Sequence, residues 1–343
     1  MTKRIRILAI ILATVSCALC LTTVLTGCLG IGAPKTHKVG VSIRKFDDDF
    51  MTLYRGEIES YFKSLETDKV KYDVTIMDAK GDMNEQAGQV DDFIKQKVDV
   101  MIINLAQSSS ADLITQKAKA AKIPCVYINR EPSEEDMKAW DKICYVGTNA
   151  KQDGTYQGEI IRDQPNHGDI NGDGVVSYVM IVGDPECSDR NGMYRVEFPI
   201  KALKDAGIRV EELMAQRGDW DQTKGQQIAA DALAQYGDKI DVIFCNNDAM
   251  AMGAIQSIKA AGRTVGKDIY LVGIDAIPEA IEAVAAGDMT GTVRNDHIGQ
   301  AHAAVDAAVR YINGEDVDTY IMVDFIKITA DNAAGKSGTN EIG

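Results

Sequence analysis

The chain is short of positive charge, histidine and tryptophan, and each shortage removes a class of function. Its 343 residues carry 37 Lys and Arg against 51 Asp and Glu, a formal net charge of −14. That is the wrong sign for holding a phosphate backbone, so nucleic acid is not expected as a partner. The four histidines, His37, His167, His297 and His302, show no ligand spacing, and neither a Gly-x-Ser-x-Gly elbow nor a His-Glu-x-x-His helix occurs. Gly262-Arg-Thr-Val-Gly-Lys267 is one residue short of a phosphate loop and lacks its Ser or Thr. Asp47 and Asp48 are paired acids, but neighbours on one loop cannot flank a glycosidic bond, so no catalysis is expected. Of the seven cysteines, Cys17 and Cys20 fall in an apolar leader. Cys125, Cys144, Cys187 and Cys245 remain in the body, three of them in or beside apolar runs where Cys acts as a small hydrophobe. No disulfide is expected.

What is present begins with that leader. Lys3, Arg4 and Arg6 precede an uncharged apolar run from Ile7 to Val24, which reads as a secretory signal, or by length alone as a retained membrane span. Leu25-Thr26-Gly27-Cys28 resembles a bacterial lipoprotein processing box, which implies cleavage before Cys28 and acylation of its sulfur. Residues 1–27 are thus expected to be removed, and 28–37 to form a lipidated tether rich in irregular Gly, Ala and Pro. The body would sit outside the cytoplasmic membrane, held by the lipid anchor only.

From Lys38 the chain alternates short apolar runs with helical stretches, the pattern of a doubly wound parallel sheet. Val39–Ile43, Tyr72–Met77, Val98–Leu105, Pro124–Ile128 and Ile143–Val146 read as strands of a first series. A second series follows Gly147, with strands at Val175–Val182, Ile208–Leu213, Asp241–Cys245, Ile269–Gly273 and Met289–Val293. A helix from Gln300 to Asn313 and one last strand, Tyr320–Ile328, close the chain. The reading is α/β: two doubly wound lobes, 38–147 with 296–328 and 148–295 with 329–343. A three-segment hinge would join them near Gly147-Thr148, Asn295-Asp296 and Thr329-Asp331.

Polar residues gather where strands end, the edge at which open α/β sheets hold small ligands. Asp48 and Phe50 follow the first strand, Asn104 the third, and Asn129-Arg-Glu-Pro132 the fourth. Trp220 stands between Asp219 and Asp221, Asn246-Asn-Asp248 opens a helix, Asp275 follows Leu-Val-Gly-Ile, and Asn295 follows Gly-Thr-Val-Arg. Each has a plainer reading: the acids after the first strand as a helix N-terminus, one of the Asn-Asn-Asp set as a cap, Phe50 as core. Together they suit a neutral polyhydroxylated ligand. Hydroxyls both donate and accept, and the C–H faces of a sugar ring stack on aromatics.

Val41-Ser-Ile-Arg-Lys-Phe-Asp-Asp-Asp-Phe-Met, Ile103-Asn-Leu, Asn129-Arg-Glu-Pro-Ser, Tyr145-Val-Gly-Thr, Asn246-Asn-Asp-Ala-Met-Ala-Met-Gly-Ala, Gly273-Ile-Asp-Ala-Ile-Pro-Glu-Ala and Gly291-Thr-Val-Arg-Asn-Asp resemble the galactose/glucose-binding proteins of bacterial ABC transporters. The resemblance spans nearly all of the chain after the leader. It implies a type I periplasmic-binding-protein fold, monomeric, closing over a hexose and delivering it to an ABC permease. A chemoreceptor is a further partner, and a sensor presenting its ligand to a membrane receptor is the alternative function. Repressors sharing the fold carry a DNA-binding headpiece where this chain has its leader. By motif position Asp48, Asn104, Asn247, Asp275 and Asn295 would hydrogen-bond the sugar, and Phe50 and Trp220 would sandwich its ring. The loop Gly183–Arg195 departs from the family by two extra residues. The family's His falls on Cys187 or Asp189 and its Asp on Asp189 or Asn191, depending on register, while Arg195 keeps the place of its Arg.

Asp169-Ile-Asn-Gly-Asp-Gly-Val-Val-Ser177 is a separate signal, the opening of an EF-hand loop. Asp169, Asn171, Asp173, the Val175 carbonyl and Ser177 occupy alternate positions, and Met180 stands where the bidentate Glu belongs. The plainer reading is an Asx-rich turn. The resemblance supplies the missing carboxylate from a distant acid, here Asp241, and implies a structural calcium remote from the sugar.

Overall fold

Strands that are buried along their whole length must be covered on both faces, which in a parallel sheet means helices on either side. Val100–Ile103, Cys125–Ile128, Ile143–Gly147, Val176–Val182 and Val242–Cys245 are buried throughout. A computed structural model describes residues 33–183 and 190–333, with 150 and 190–192 by backbone alone. The described residues fall into two compact units. Residues 33–36 with Glu66–Lys71 form a small one, in which the Lys35 amide donates to the Lys69 carbonyl (2.8 Å). His37–Leu65 and the chain from Tyr72 form the other, which carries everything discussed below.

The first series runs β1 (Lys35–Ile43), α1 (Asp49–Ser64), β2 (Val70–Asp78), α2 (Met83–Gln96), β3 (Val100–Ile103), α3 (Ala111–Ala121), β4 (Cys125–Ile128), α4 (Glu134–Met137) and β5 (Ile143–Gly147). The second runs α5 (Ala150–Arg162), β6 (Val176–Val182), α6 (Arg190–Asp205), β7 (Val210–Arg217), α7 (Gln222–Tyr236), β8 (Val242–Cys245), α8 (Asp248–Ala260), β9 (Tyr270–Val272), α9 (Pro278–Ala286) and β10 (Gly291–Arg294). Then α10 (His297–Ile312) and β11 (Tyr320–Met322) return to the first lobe, while β12 (Ile326–Thr329) and α11 (Ala330–Ala333) return to the second. The sheet orders are β11-β5-β4-β3-β1-β2 and β12-β10-β9-β8-β6-β7. The described strand pairings are parallel except that of β12, which runs antiparallel to β10. The fold is the two-lobed one expected. In each sheet the order reverses beside the first strand of the lobe, between β1 and β3 and between β6 and β8, and the loops leaving those strands frame a crevice.

The third crossing is a correction. One strand was expected over Tyr320–Ile328, with the crossing at Thr329–Asp331; instead β11 pairs with β5 in the first sheet and β12 with β10 in the second. The chain therefore changes lobes at 323–325, where the Val323 amide still donates to the Gly147 carbonyl (2.8 Å) and Asp324 is exposed. The run Tyr320–Ile328 is apolar and strand-favouring except at Asp324 and Lys327, so its composition hides the break. The expected tether is shortened as well, since Lys35–His37 already belong to β1. The helices α7 and α9 were not anticipated. The proposed leader and Cys28 lie outside the described residues.

Each lobe buries an apolar layer on both faces of its sheet. Cys125, Cys144 and Cys245 are free and buried among those residues, as small hydrophobes; Cys187 lies outside the described residues.

Candidate functional site

Loops from both sheets meet at a small cavity, about 40 Å³, lined by Arg44, Asp48, Phe50, Met51, Asn129, Arg130, Arg195, Trp220, Asn247, Asp275 and Asn295. Every one of them follows the carboxyl end of a strand.

The first-lobe wall is built on the N-terminus of α1. Asp48 is extended (φ −155°), and its Oδ1 accepts from the Met51 amide (2.9 Å), so the plainer reading as a helix cap is correct as far as it goes. Its Oδ2 accepts from Arg44 Nη2 (2.7 Å) with both side chains largely buried. Phe50 is 6% exposed and meets Tyr54 and His297 edge to face, at 5.8 and 6.3 Å between centroids. Asn104 does not line the cavity. It is fully buried, with Oδ1 accepting from the Arg44 amide (3.1 Å) and Nδ2 donating to Asn129 Oδ1 (3.2 Å). It fixes the two residues that do face inward. Arg130 is held from behind, Nη1 donating to the Ala106 carbonyl (2.6 Å).

In the second lobe Asn246, Asn247 and Asp248 divide three tasks. Asn247 caps α8 by accepting from the Met250 amide (3.0 Å) and donates to the Trp220 carbonyl (3.3 Å) while lining the cavity. Asn246 is buried, accepting from the Gly183 amide (3.1 Å) and donating to the Arg195 carbonyl (3.3 Å). Asp248, also buried, accepts from Thr292 Oγ1 (2.7 Å) and the Ile277 amide (3.1 Å), and so pins the chain after Asp275. Pinning is needed, because Asp275 (φ 118°) and Ala276 (φ 55°) lie where L side chains are strained. Trp220, also at positive φ (64°), rests its ring so close over Gly183 that a Cβ there would come within 2.2 Å. Arg195 stands 5.8 Å from the Trp220 ring.

Charge decides what the cavity can do. Asp275 is buried, with Asn295 Nδ2 3.5 Å and Arg195 Nη2 3.9 Å from its Oδ1. Burial pushes its carboxyl up to about 7, helped by Asp48 and Asp153 and opposed by Arg195 and Asn295. A poorly compensated carboxylate is an acceptor in need of donors, as neighbouring hydroxyls would be. Asn295 is itself oriented by Gln300, whose Nε2 donates to Asn295 Oδ1 (2.6 Å).

Seven of the expected ligand residues line this cavity: Asp48, Phe50, Arg195, Trp220, Asn247, Asp275 and Asn295. Asn104 stands behind it. Asp189 lies outside the described residues, and Asn191 falls in α6 without a described side chain. Arg44 and Arg130 were not among the expected ligand residues, though Arg130 was grouped with the polar residues at strand ends. Their only signal was a long cationic side chain directly after a strand.

The loop at 169–177 closes on itself. Asp169 accepts from the Gly172 (2.7 Å), Asp173 (3.2 Å) and Gly174 (2.7 Å) amides, Asn171 from Asp173 (2.9 Å), and Asp173 from Val175 (3.0 Å). Fully buried Asp241 accepts from the Ile170, Asn171 and Ser177 amides at 3.2, 3.1 and 2.8 Å. Burial raises its pKa first, and Asp169 and Asp173 raise it further. The donors fit a hard cation in kind and order, though no three His, Cys, Asp or Glu side chains among the described residues are gathered as a metal cluster.

The periplasmic binding protein domain matches residues 39–316. The chain is a periplasmic binding protein. It is 31% identical over 309 residues to the D-galactose/methyl-galactoside binding periplasmic protein of Haemophilus influenzae, covering 86% of this chain and 90% of that one. It is 25% identical over 291 residues to the ribose import binding protein of Bacillus subtilis, covering 84% and 86%. Its fold matches an ABC transporter solute binding protein of Bacillus halodurans with bound myo-inositol at a TM-score of 0.76 and 26% identity, over 89% of this chain and 98% of that one. These are binding proteins and not enzymes, and so is this one. The periplasmic binding protein family works outside the cytoplasmic membrane, and no helix among the described residues is long and apolar enough to cross one.

Proposed function

We propose that this binding protein captures a neutral monosaccharide, with D-galactose or D-glucose as the first candidates, and hands it to an ABC permease. One observation carries the reading. Acceptors, donors and two aromatic rings from opposite lobes line one small cavity, with Asp275 short of partners among the described residues. A ligand bonded by Asp48 and Phe50 on one side and Trp220, Asn247 and Asp275 on the other gains contacts only when the lobes are together, so binding draws the population toward closure. The galactoside-binding relative supports a hexose. The myo-inositol held by the Bacillus halodurans protein favours a cyclitol as the second reading, because a cyclitol presents the same ring of hydroxyls. Titration calorimetry against hexoses, pentoses and inositols tests both. Saturable binding of one hexose is expected, binding of myo-inositol alone selects the second reading, and binding of no polyol overturns the proposal.

Two further parts belong to the proposal. Acylated Cys28 would tether the protein to the membrane. Calcium would sit in the 169–177 loop, held by Asp169, Asn171, Asp173, the Val175 carbonyl, Ser177 and Asp241, and would stiffen the start of β6. The support is the order of donors and the ring of amides they already gather.

A further inference from the structure

We propose that Asp153, which does not line the cavity, is a positioning residue that holds the Arg195 guanidinium off Asp275 and keeps that carboxylate available to the ligand. The inference rests on the sugar-capture reading above. Asp153 lies in the first turn of α5 and is fully buried. Its Oδ2 accepts from Arg195 Nε (2.7 Å), and its Oδ1 accepts from the Gly154 amide (2.6 Å). Arg195 Nη1 donates to the Asn246 carbonyl (2.9 Å). These two bonds point the guanidinium so that Nη2 faces Asp275, yet stops 3.9 Å from its Oδ1.

A buried guanidinium beside a buried carboxylate would ordinarily close into a two-bond fork. Here Asp153 takes the charge-assisted bond instead. Of the two carboxylates described beside this cation, Asp275 receives the smaller share. Among the described residues the charged groups facing Asp275 are Arg195, Asp48, Asp153 and Asp248; of these the first alone is cationic, in keeping with a carboxyl pushed up to about 7. A ligand hydroxyl placed there would donate to Asp275 while accepting from Arg195 Nη2. An already paired Arg195–Asp275 fork would offer neither group. The sequence could not show this, because Asp153 and Arg195 are 42 positions apart and on different helices.

The test compares the parent, Asp153→Asn, Arg195→Met and the double variant. Carbon-13 NMR of the Asp275 carboxyl against pH needs no ligand, and calorimetry with the best-bound monosaccharide supplies the second readout. Asp153→Asn removes one negative charge and frees Arg195, so the Asp275 midpoint should fall by at least one pH unit. Monosaccharide affinity at pH 8 should fall about tenfold. In the Arg195→Met background the affinity effect of Asp153→Asn should disappear. An unchanged Asp275 midpoint in Asp153→Asn overturns the inference whether or not any sugar binds, as does an affinity loss that persists undiminished without Arg195. If the midpoint falls as stated and no polyol binds the parent, the positioning role stands and the sugar reading fails.

Discussion

Asp275→Asn separates the charge of this side chain from its shape. With a carboxyl pushed up to about 7, only about a tenth of the free protein carries ionised Asp275 at pH 6. Hydroxyl donors favour the ionised form, so ligand binding should release a proton, and affinity should climb about tenfold per unit as pH rises toward 7, then level off. An amide keeps the volume but loses the charge, which removes that slope and weakens binding at pH 8 by about ten- to a hundredfold, the worth of a hydrogen bond to a charged group. Folding responds in the opposite sense. A carboxyl whose folded pKa is raised holds its proton more tightly in the fold than in the open chain, so stability falls as pH rises from about 4 to about 7. At roughly 1.4 kcal/mol per unit the upper bound on that loss is about 4 kcal/mol, and Asp275→Asn should recover part of it at pH 8. Calorimetry in buffers of different ionisation enthalpy counts the released proton, and denaturant melts at pH 5 and pH 8 read the stability. A parent whose affinity is flat from pH 5.5 to 8, or an Asn variant that keeps the parent's slope, would refute the assignment of Asp275 as the charged acceptor.

Trp220→Ala should weaken monosaccharide binding about tenfold or more with little change in melting temperature, because the ring covers the cavity and its buried Nε1 has no partner among the described residues; equal affinity in calorimetry counts against the sandwich. Leu53 on α1 does not line the cavity, yet it packs against the second-lobe core and lines a neighbouring cleft with Met252 and Ile277. Leu53→Ala should cost the closed state about 1 kcal/mol and lower apparent affinity about fivefold, and small-angle scattering should show a more open ligand-free protein. Millimolar calcium should raise the melting temperature of a chelator-treated sample by about 5 to 10 °C at a hundredfold excess over its dissociation constant. Asp173→Ala should abolish that rise and leave sugar binding intact; a melt indifferent to calcium would remove the metal from the loop.

What could be read from the string follows from where the chain buries its groups. Strands covered on both faces appear as continuous apolar runs, so the two sheets and their alternation were legible, and the doubly wound order then places polar residues after those runs at one crevice. Asp48, Trp220, Asn247, Asp275 and Asn295 were visible for that reason. The helix Pro278–Ala286 had a legible signature that went unused: Pro at its first position, Glu279 in the first turn and Gly287 in the left-handed cap. The strand break at 323–325 left little, because a lone Asp324 in an otherwise apolar run reads the same whether a strand continues in one sheet or leaves for another.

Side-chain direction marks the deeper limit. Asn104 and Asn129 each end a buried strand, and no local feature says that the first supports and the second lines. The same holds for charge. Counted along the chain, the lining residues Asp48 and Asp275 make an acidic site. In space Arg44 sits 2.7 Å from Asp48, while Arg195 is drawn toward Asp153 and away from Asp275. The first-lobe carboxylate is therefore already paired at hydrogen-bond distance, and the second-lobe one only loosely. Asp48 then serves mainly to orient Arg44 and cap α1, and the acceptor strength that discriminates among ring hydroxyls falls to Asp275. A carboxylate's role here depends on which guanidinium reaches it: Asp48 takes one from four residues away, whereas for Asp275 the matter is decided by Asp153 and Arg195, on elements far apart in the chain.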